Sequence, residues 1–242
     1  MSTRRATVIR TAGAVVITGA MLALTACLPF VSAGERRTED REIDDATAVV
    51  LRTAGEVTVR LGDEPALTVT GGENVLDRLV TEVDDDRLVI DTRRGPLIVG
   101  EDDLDIDVTL TSLESVVIEG SGDVSAEFGD AEDVSIELRG SGEIETGELD
   151  AQTVRISISG SGSIDTEGAT DDLVVDVSGS GDVDASGLSS QNAQVVLSGS
   201  GDVSVDVSDS LDVTLSGSGT IRYSGRPEIR SSISGSGEIE PS

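Results

Sequence analysis

The triplet Gly-Ser-Gly occurs seven times, with its first glycine at Gly120, Gly140, Gly160, Gly179, Gly199, Gly217 and Gly235, at intervals of 20, 20, 19, 20, 18 and 18 residues. A period this short and regular admits few folds, because each unit must bury its apolar face against the next one. About 20 residues are too few for a four-stranded propeller blade, which takes about 40–45. The flanks keep the same register. Two residues before the glycine stand Ile118, Leu138, Ile158, Val177, Leu197, Leu215 and Ile233, and four after it Val124, Ile144, Ile164, Val183, Val203, Ile221 and Ile239. Four before it stand Val116, Ile136, Ile156, Val175, Val195 and Val213, and only Ser231 breaks the column. Apolar residues at period two, most of them β-branched, make strands with one buried face.

Each repeat therefore reads as a strand, a Gly-Ser-Gly corner, a short strand and a weaker second corner marked by Gly129, Gly147, Gly168, Gly187 and Gly225. This predicts an all-β chain: a parallel β-helix (β-solenoid) of about 20 residues per coil, each strand pairing with its counterpart one coil away. Both glycines of each corner are structural, so Gly122, Gly142, Gly162, Gly181, Gly201, Gly219 and Gly237 join the seven above. Glycine suits a corner where φ is positive and neighbouring coils approach closely. The serines before the corner, Ser159, Ser178, Ser198, Ser216 and Ser234, are expected to stack along the axis.

Residues 46–111 lack the triplet but keep short alternating strands at Val49–Leu51, Val57–Leu61, Leu67–Val69 and Leu88–Ile90. Gly100 stands 20 residues before Gly120, with Leu104 and Ile106 after it, and so opens a degenerate coil; Gly71-Gly72 with Val75 suggests another. Irregular terminal repeats are expected where a solenoid closes its open edge. Residues 46–242 form one domain, with the seven regular coils starting at about residue 112. Ahead of it, residues 1–26 read as a signal peptide: Arg4, Arg5 and Arg10 precede an apolar run that ends in Leu24-Thr25-Ala26-Cys27. That ending resembles a bacterial lipobox, in which the cysteine is acylated; Cys27 is the only cysteine of the chain. Residues 27–45 carry a dense charge run without apolar period and read as a flexible tether.

Composition removes most chemistry. Among 242 residues there are 47 Asp+Glu against 17 basic residues, all of them Arg, giving a net charge of −30, with no His and no Trp. A Ser–His–Asp triad, a His-ligated metal and a disulfide cannot be built from this set, no cofactor is expected, and so acidic a chain has no basic surface for nucleic acid. The recurring serines lack a base to activate them. Nor do the triplets read as phosphate-cradling loops, since no helix follows them and there is no Lys. Three residues after each corner glycine come Asp123, Glu143, Ser163, Asp182, Asp202, Thr220 and Glu238. Stacked carboxylates here would suit a hard cation, so Asp123, Glu143, Asp182 and Asp202 are weak candidates for calcium. The nine-residue spacing of calcium β-rolls is absent, and a solvated acidic face is the plainer expectation.

The Gly-Ser-Gly-Asp-Val and Gly-Ser-Gly-Glu-Ile repeats resemble a bacterial family of unknown function, the putative autotransporter adhesin, head GIN domain. The resemblance implies export, often as a lipoprotein, and a right-handed parallel β-helix; it carries no catalytic residues. The expected function is a non-enzymatic cell-envelope protein, adhesin-like or a structural scaffold, held on the outer face of the membrane by an N-terminal lipid and meeting an envelope glycan or protein. The alternatives are a divalent-cation-binding surface protein and a polysaccharide-acting β-helix enzyme. The enzyme reading has little support, since Phe128 and Tyr223 are the only aromatic residues of the repeat region and no insertion walls a cleft.

Overall fold

The computed structural model describes residues 31–95, 98–99 and 103–242; the signal segment, Cys27 and Gly100 lie outside the described residues. The chain is a β-solenoid whose strands stack in parallel and in register. Val116, Ile136, Ile156, Val175, Val195 and Val213 form one continuous column, as do Val124, Ile144, Ile164, Val183, Val203 and Ile221. All twelve are buried, and they line a single apolar core running along the axis.

The corners explain the glycines. The carbonyl of each first glycine accepts the serine N–H of the next coil, as in Ser180 N to Gly160 O (2.9 Å) and Ser218 N to Gly199 O (2.9 Å). The same carbonyl fills the space in which a side chain on the next glycine would begin: a Cβ on Gly199 would lie 1.8 Å from Gly179 O, and Gly199 has φ +150°. The long strands, such as Glu143–Gly160 and Asp182–Gly199, bend round further corners. One is the expected second corner, where the ladder shifts between Glu145 and Glu148. Another was not expected: the ladder leaves Glu132, Gln152, Asp171 and Gln191 out of the pairing, so each coil turns there as well.

The N-terminal third departs from the sequence reading in four respects. First, coil order is not chain order. Val49–Leu51 pairs on one side with Val116–Ile118 and on the other with Leu88–Ile90, and Val57–Val59 likewise lies between Val124–Ala126 and Ile106–Val108. The coil built from residues 87–110 is thus outermost, and the chain recrosses the 46–61 coil to start the regular repeats; the Glu114 N–H bonds Thr47 O on the way (2.8 Å). Second, Leu104 and Ile106 are both buried in the core, as the spacing from Gly100 expects, but it is Ile106 that pairs opposite Val57 in the column. Third, Gly71-Gly72 with Val75 is not a coil. Those glycines end the strand Ala66–Gly72, and a single helical turn, Glu73–Leu76, follows with Val75 and Leu76 buried.

Fourth, a six-residue stretch inside the expected tether is a strand. Arg36–Arg41 pairs antiparallel with Ala66–Gly72, which pairs antiparallel with the strand Asp105–Leu110. Arg36 forms ion pairs with Asp103 and Asp105, and Arg41 donates to the carbonyls of Leu76 and Leu79 (both 3.1 Å). A charged outermost strand carries no apolar period because one face and one edge meet water, and such charge protects a sheet edge from further pairing. On the adjoining face Leu79–Asp84 pairs antiparallel with Arg87–Thr92 through a turn whose Asp85 and Asp86 have φ 47° and 60°. That is the left-handed geometry tight hairpins need. Antiparallel strands thereby close the solenoid at this end.

Corner stacking yields a direct contrast. Gly199→Ala should cost roughly 3 kcal/mol or more through backbone clash and strain. At Gly147 the nearest atom to an added Cβ is 3.8 Å away and φ is not positive, so Gly147→Ala should stabilise by about 0.4–1 kcal/mol. Denaturant midpoints of the two variants test this; equal shifts would contradict the corner geometry.

Candidate functional site

In-register stacking converts each sequence position into a column one coil apart, about 4.8 Å per step. The extra corner therefore raises a ridge of Glu132, Gln152, Asp171 and Gln191. Beside it runs a floor of small side chains, Ala131, Ala151, Thr170 and Ser190, and beyond the floor a second wall of Asp130, Asp150, Ala169, Ser189 and Asp206. Together they bound a groove of about 790 Å³ along the axis, continuous through Asp130, Asp150 and Ala169 with a second depression of about 560 Å³.

Carboxylates and amides alternate on the ridge. The Gln152 amide donates to Glu132 (3.5 Å) and the Gln191 amide to Asp171, while in the next column Asn192 donates to Asp172 (3.1 Å) and accepts from Ser210 (2.7 Å). An amide between two carboxylates supplies a donor where two anions would repel. On the floor, Thr170 donates to Gln152 O (3.2 Å) and Ser190 to Asp206 O (2.7 Å), so both buried hydroxyls are spent on the backbone. The groove thus presents acceptors in excess and no guanidinium, and on its wall the Ser189 hydroxyl donates to Asp206 (3.1 Å). Its floor lets an extended ligand approach the backbone.

The column three after each corner glycine has a different use. Asp123 accepts the Glu143 N–H (3.0 Å), Asp182 the Asp202 N–H (2.8 Å), and Asp202 the Thr220 N–H (3.1 Å). These candidate calcium ligands stand one per coil, and the three aspartates stitch successive coils at the corner; Glu143 is engaged through its own N–H. Among the described residues no group of three or more acidic or cysteine side chains is arranged to hold a metal ion. The serine column stacks in register from Ser159 to Ser234, without a hydroxyl-to-hydroxyl bond within it. At the same position in earlier coils Glu119 sits between Arg52 and Arg139 (2.7 Å each), and hydrogen bonding to Arg52, then attraction from both guanidiniums, holds its carboxyl below the usual range.

One stack is left uncompensated. Asp165 lies directly between Glu145 and Asp184. Partial burial, then repulsion from Asp184, Glu145 and Glu167, raises its pKa.

Neither the groove nor the antiparallel end was legible in the sequence. The groove's ridge is marked by Glu, Gln and Asp rather than glycine. The column Glu132, Gln152, Asp171 and Gln191, with its alternating side-chain type at one-coil spacing, was the one signal available.

The described residues thus form a parallel β-solenoid with an acidic axial groove. Residues 46–227 match the family described as putative auto-transporter adhesin, head GIN domain, and the chain belongs to that family. Its fold is shared with a putative adhesin from Bacteroides fragilis (TM-score 0.84, 22% identity, covering 88% of this chain and 100% of that one). A putative lipid binding protein from Parabacteroides distasonis is similar at TM-score 0.73 and 25% identity, again over 88% of this chain and 100% of that one. A putative adhesin from the same organism gives TM-score 0.70 at 21% identity, with the same coverage of both chains. No curated protein matches the chain.

The Asp165 stack has a consequence with a definite sign. A carboxyl whose pKa is raised on folding destabilises the fold while ionised, and that penalty disappears as pH falls through the raised value. Asp165→Asn should therefore melt higher than the parent at pH 7, with the gap narrowing in acid and in high salt. A lower melting temperature at pH 7 would show that the stack is not repulsive.

Proposed function

We propose that this protein is a non-enzymatic, adhesin-type module of the cell envelope, tethered to the outer face of the membrane by acylated Cys27, that holds an extended, donor-rich chain such as an envelope glycan in its acidic groove. The observation that carries the ligand is the groove itself: acceptors repeat at one-coil spacing above a floor of small residues, a pattern suited to a polymer with repeating hydroxyl or amino groups. The adhesin names of the family and of the similar structures support a surface role, and the name of the Parabacteroides lipid binding protein is compatible with work at a membrane. The lipid anchor rests on Leu24-Thr25-Ala26-Cys27 and the apolar run before it. Two acyl chains are needed for stable anchoring, so a diacylated cysteine is expected.

Two experiments separate the parts. Intact mass of the membrane-extracted protein should show a lipidated Cys27 at the mature N-terminus, and Cys27→Ala should move the protein out of the membrane fraction; an unmodified cysteine would refute the anchor. For the groove, a panel of neutral and amino-bearing envelope glycans should bind the parent, and Gln152→Ala with Gln191→Ala should weaken binding about tenfold. Both residues are exposed, so the double variant should keep its stability within about 1 kcal/mol. Retention of full affinity would place the ligand elsewhere.

A further inference from the structure

The two ends of the solenoid are finished differently. At one end antiparallel strands cover the outermost coil. At the other, Glu228–Gly235 pairs on one side only, with Ser210–Gly217, and no strand among the described residues covers its second edge. Ile229, Ser231 and Ile233 stand in register with Leu211, Val213 and Leu215, all three buried. Register neighbours share a face of the sheet, so these residues carry the core face out to the edge. Ile229 and Ile233, 38% and 49% exposed, are the only large apolar side chains exposed among the described residues. Between them Ser231 is the one polar residue of its column.

The acidic excess of the regular coils also ends here. From Glu114 to Gly219 there are 23 acidic residues against two arginines; from Thr220 onward three stand against three. Two copies therefore repel along their flanks but not at this end. Sheet edges are normally blunted by charge, proline or a covering element. The neighbouring strand, Glu238–Pro241, has two glutamates and a proline. Glu228–Gly235 has no proline, and its only charges, Glu228 and Arg230, are paired with each other (2.9 Å).

We propose that a second copy of this chain docks on this edge, the strand Glu228–Gly235 meeting its twin antiparallel about a two-fold axis at Ser231. The strand is self-complementary in that register alone. It sets each Ile229 opposite the Ile233 of the other copy and Ser231 opposite Ser231, continuing the core face across the joint. On the outer face Arg230 meets Ser232 and Glu228 meets Ser234, so no like charges stand opposite. Moving the axis by one residue either way breaks both isoleucine pairs. A two-fold joint is isologous and closes at a dimer. The capped ends lie at opposite poles, so copies held there by the proposed lipid on Cys27 would join across facing surfaces; that consequence rests on the anchor, whereas the pairing does not.

The test is the association and register of the intact protein in non-ionic detergent. Sedimentation equilibrium should show a reversible dimer, and Ile229→Ser with Ile233→Ser should weaken it about tenfold or more. Serine already stands on this face at position 231, so the double variant should keep the parent's circular dichroism, which separates lost pairing from lost folding. Register is read by oxidation. Ser231→Cys should form a disulfide-linked dimer, because directly opposite Cβ atoms stand about 4.5–5.5 Å apart, whereas Ser232→Cys, about 7–8 Å diagonally from its twin, should not. The parent, whose one cysteine is Cys27, sets the background. A parent that stays monomeric, a dimer that the double variant leaves unchanged, or cross-linking no better at Ser231→Cys than at Ser232→Cys overturns the proposal.

Discussion

The carbonyl oxygen of one corner glycine occupies the place where a side chain on the next would start. In six of the seven triplet corners it also accepts the hydrogen bond that joins the coils. Everything regular in this molecule depends on that approach. Because the corner admits no side chain, coils close to backbone contact. Because they close to contact, strands on either side stack in strict register, and valines, isoleucines and leucines fall into columns that fill one axial core. A chain with few aromatic residues can then bury a long core built almost entirely of aliphatic side chains.

Strict register carries a cost in so acidic a chain, since like residues stand about 4.8 Å apart along a face. The structure meets it in three ways. Arginines flank a carboxylate on both sides where Arg52, Glu119 and Arg139 succeed one another. Amides alternate with carboxylates along the groove ridge. Aspartates at the corner spend an oxygen on the next coil's N–H, as Asp182 and Asp202 do. Glu145, Asp165 and Asp184 have none of these reliefs between them, which is why Asp165 alone of the aspartates has its pKa pushed upward among the shifts resolved.

The repeats were legible because their physics is local: a period of about 20, a triplet and an alternation all lie within one window of sequence. What escaped reading depends on partners distant in the chain. Arg36–Arg41 looked like a tether because an outer antiparallel strand answers to Asp103, Asp105 and the carbonyls of Leu76 and Leu79, none of them near in sequence. Six of the seven triplet corners are joined alike, and the first differs in that its neighbour, Arg52-Thr53-Ala54-Gly55, lacks a triplet.

The antiparallel end also bears on how the proposed anchor would hold the molecule. Arg36 follows Cys27 by nine positions, and nine residues reach at most about 30 Å when fully extended. The charge run that would have lengthened this leash is instead bound into the sheet by ion pairs and a six-residue antiparallel ladder. An acylated Cys27 would therefore keep the capped end of the solenoid close to the bilayer, and the regular coils, with their groove, would extend away from that end. The acidic groove would then stand further from the lipid headgroups than the cap does. Charge favours the same arrangement, because nine of the fourteen arginines after Cys27 lie between Arg36 and Arg94. The regular coils carry 26 acidic residues from Glu114 onward against five arginines, and an anionic membrane surface would repel them.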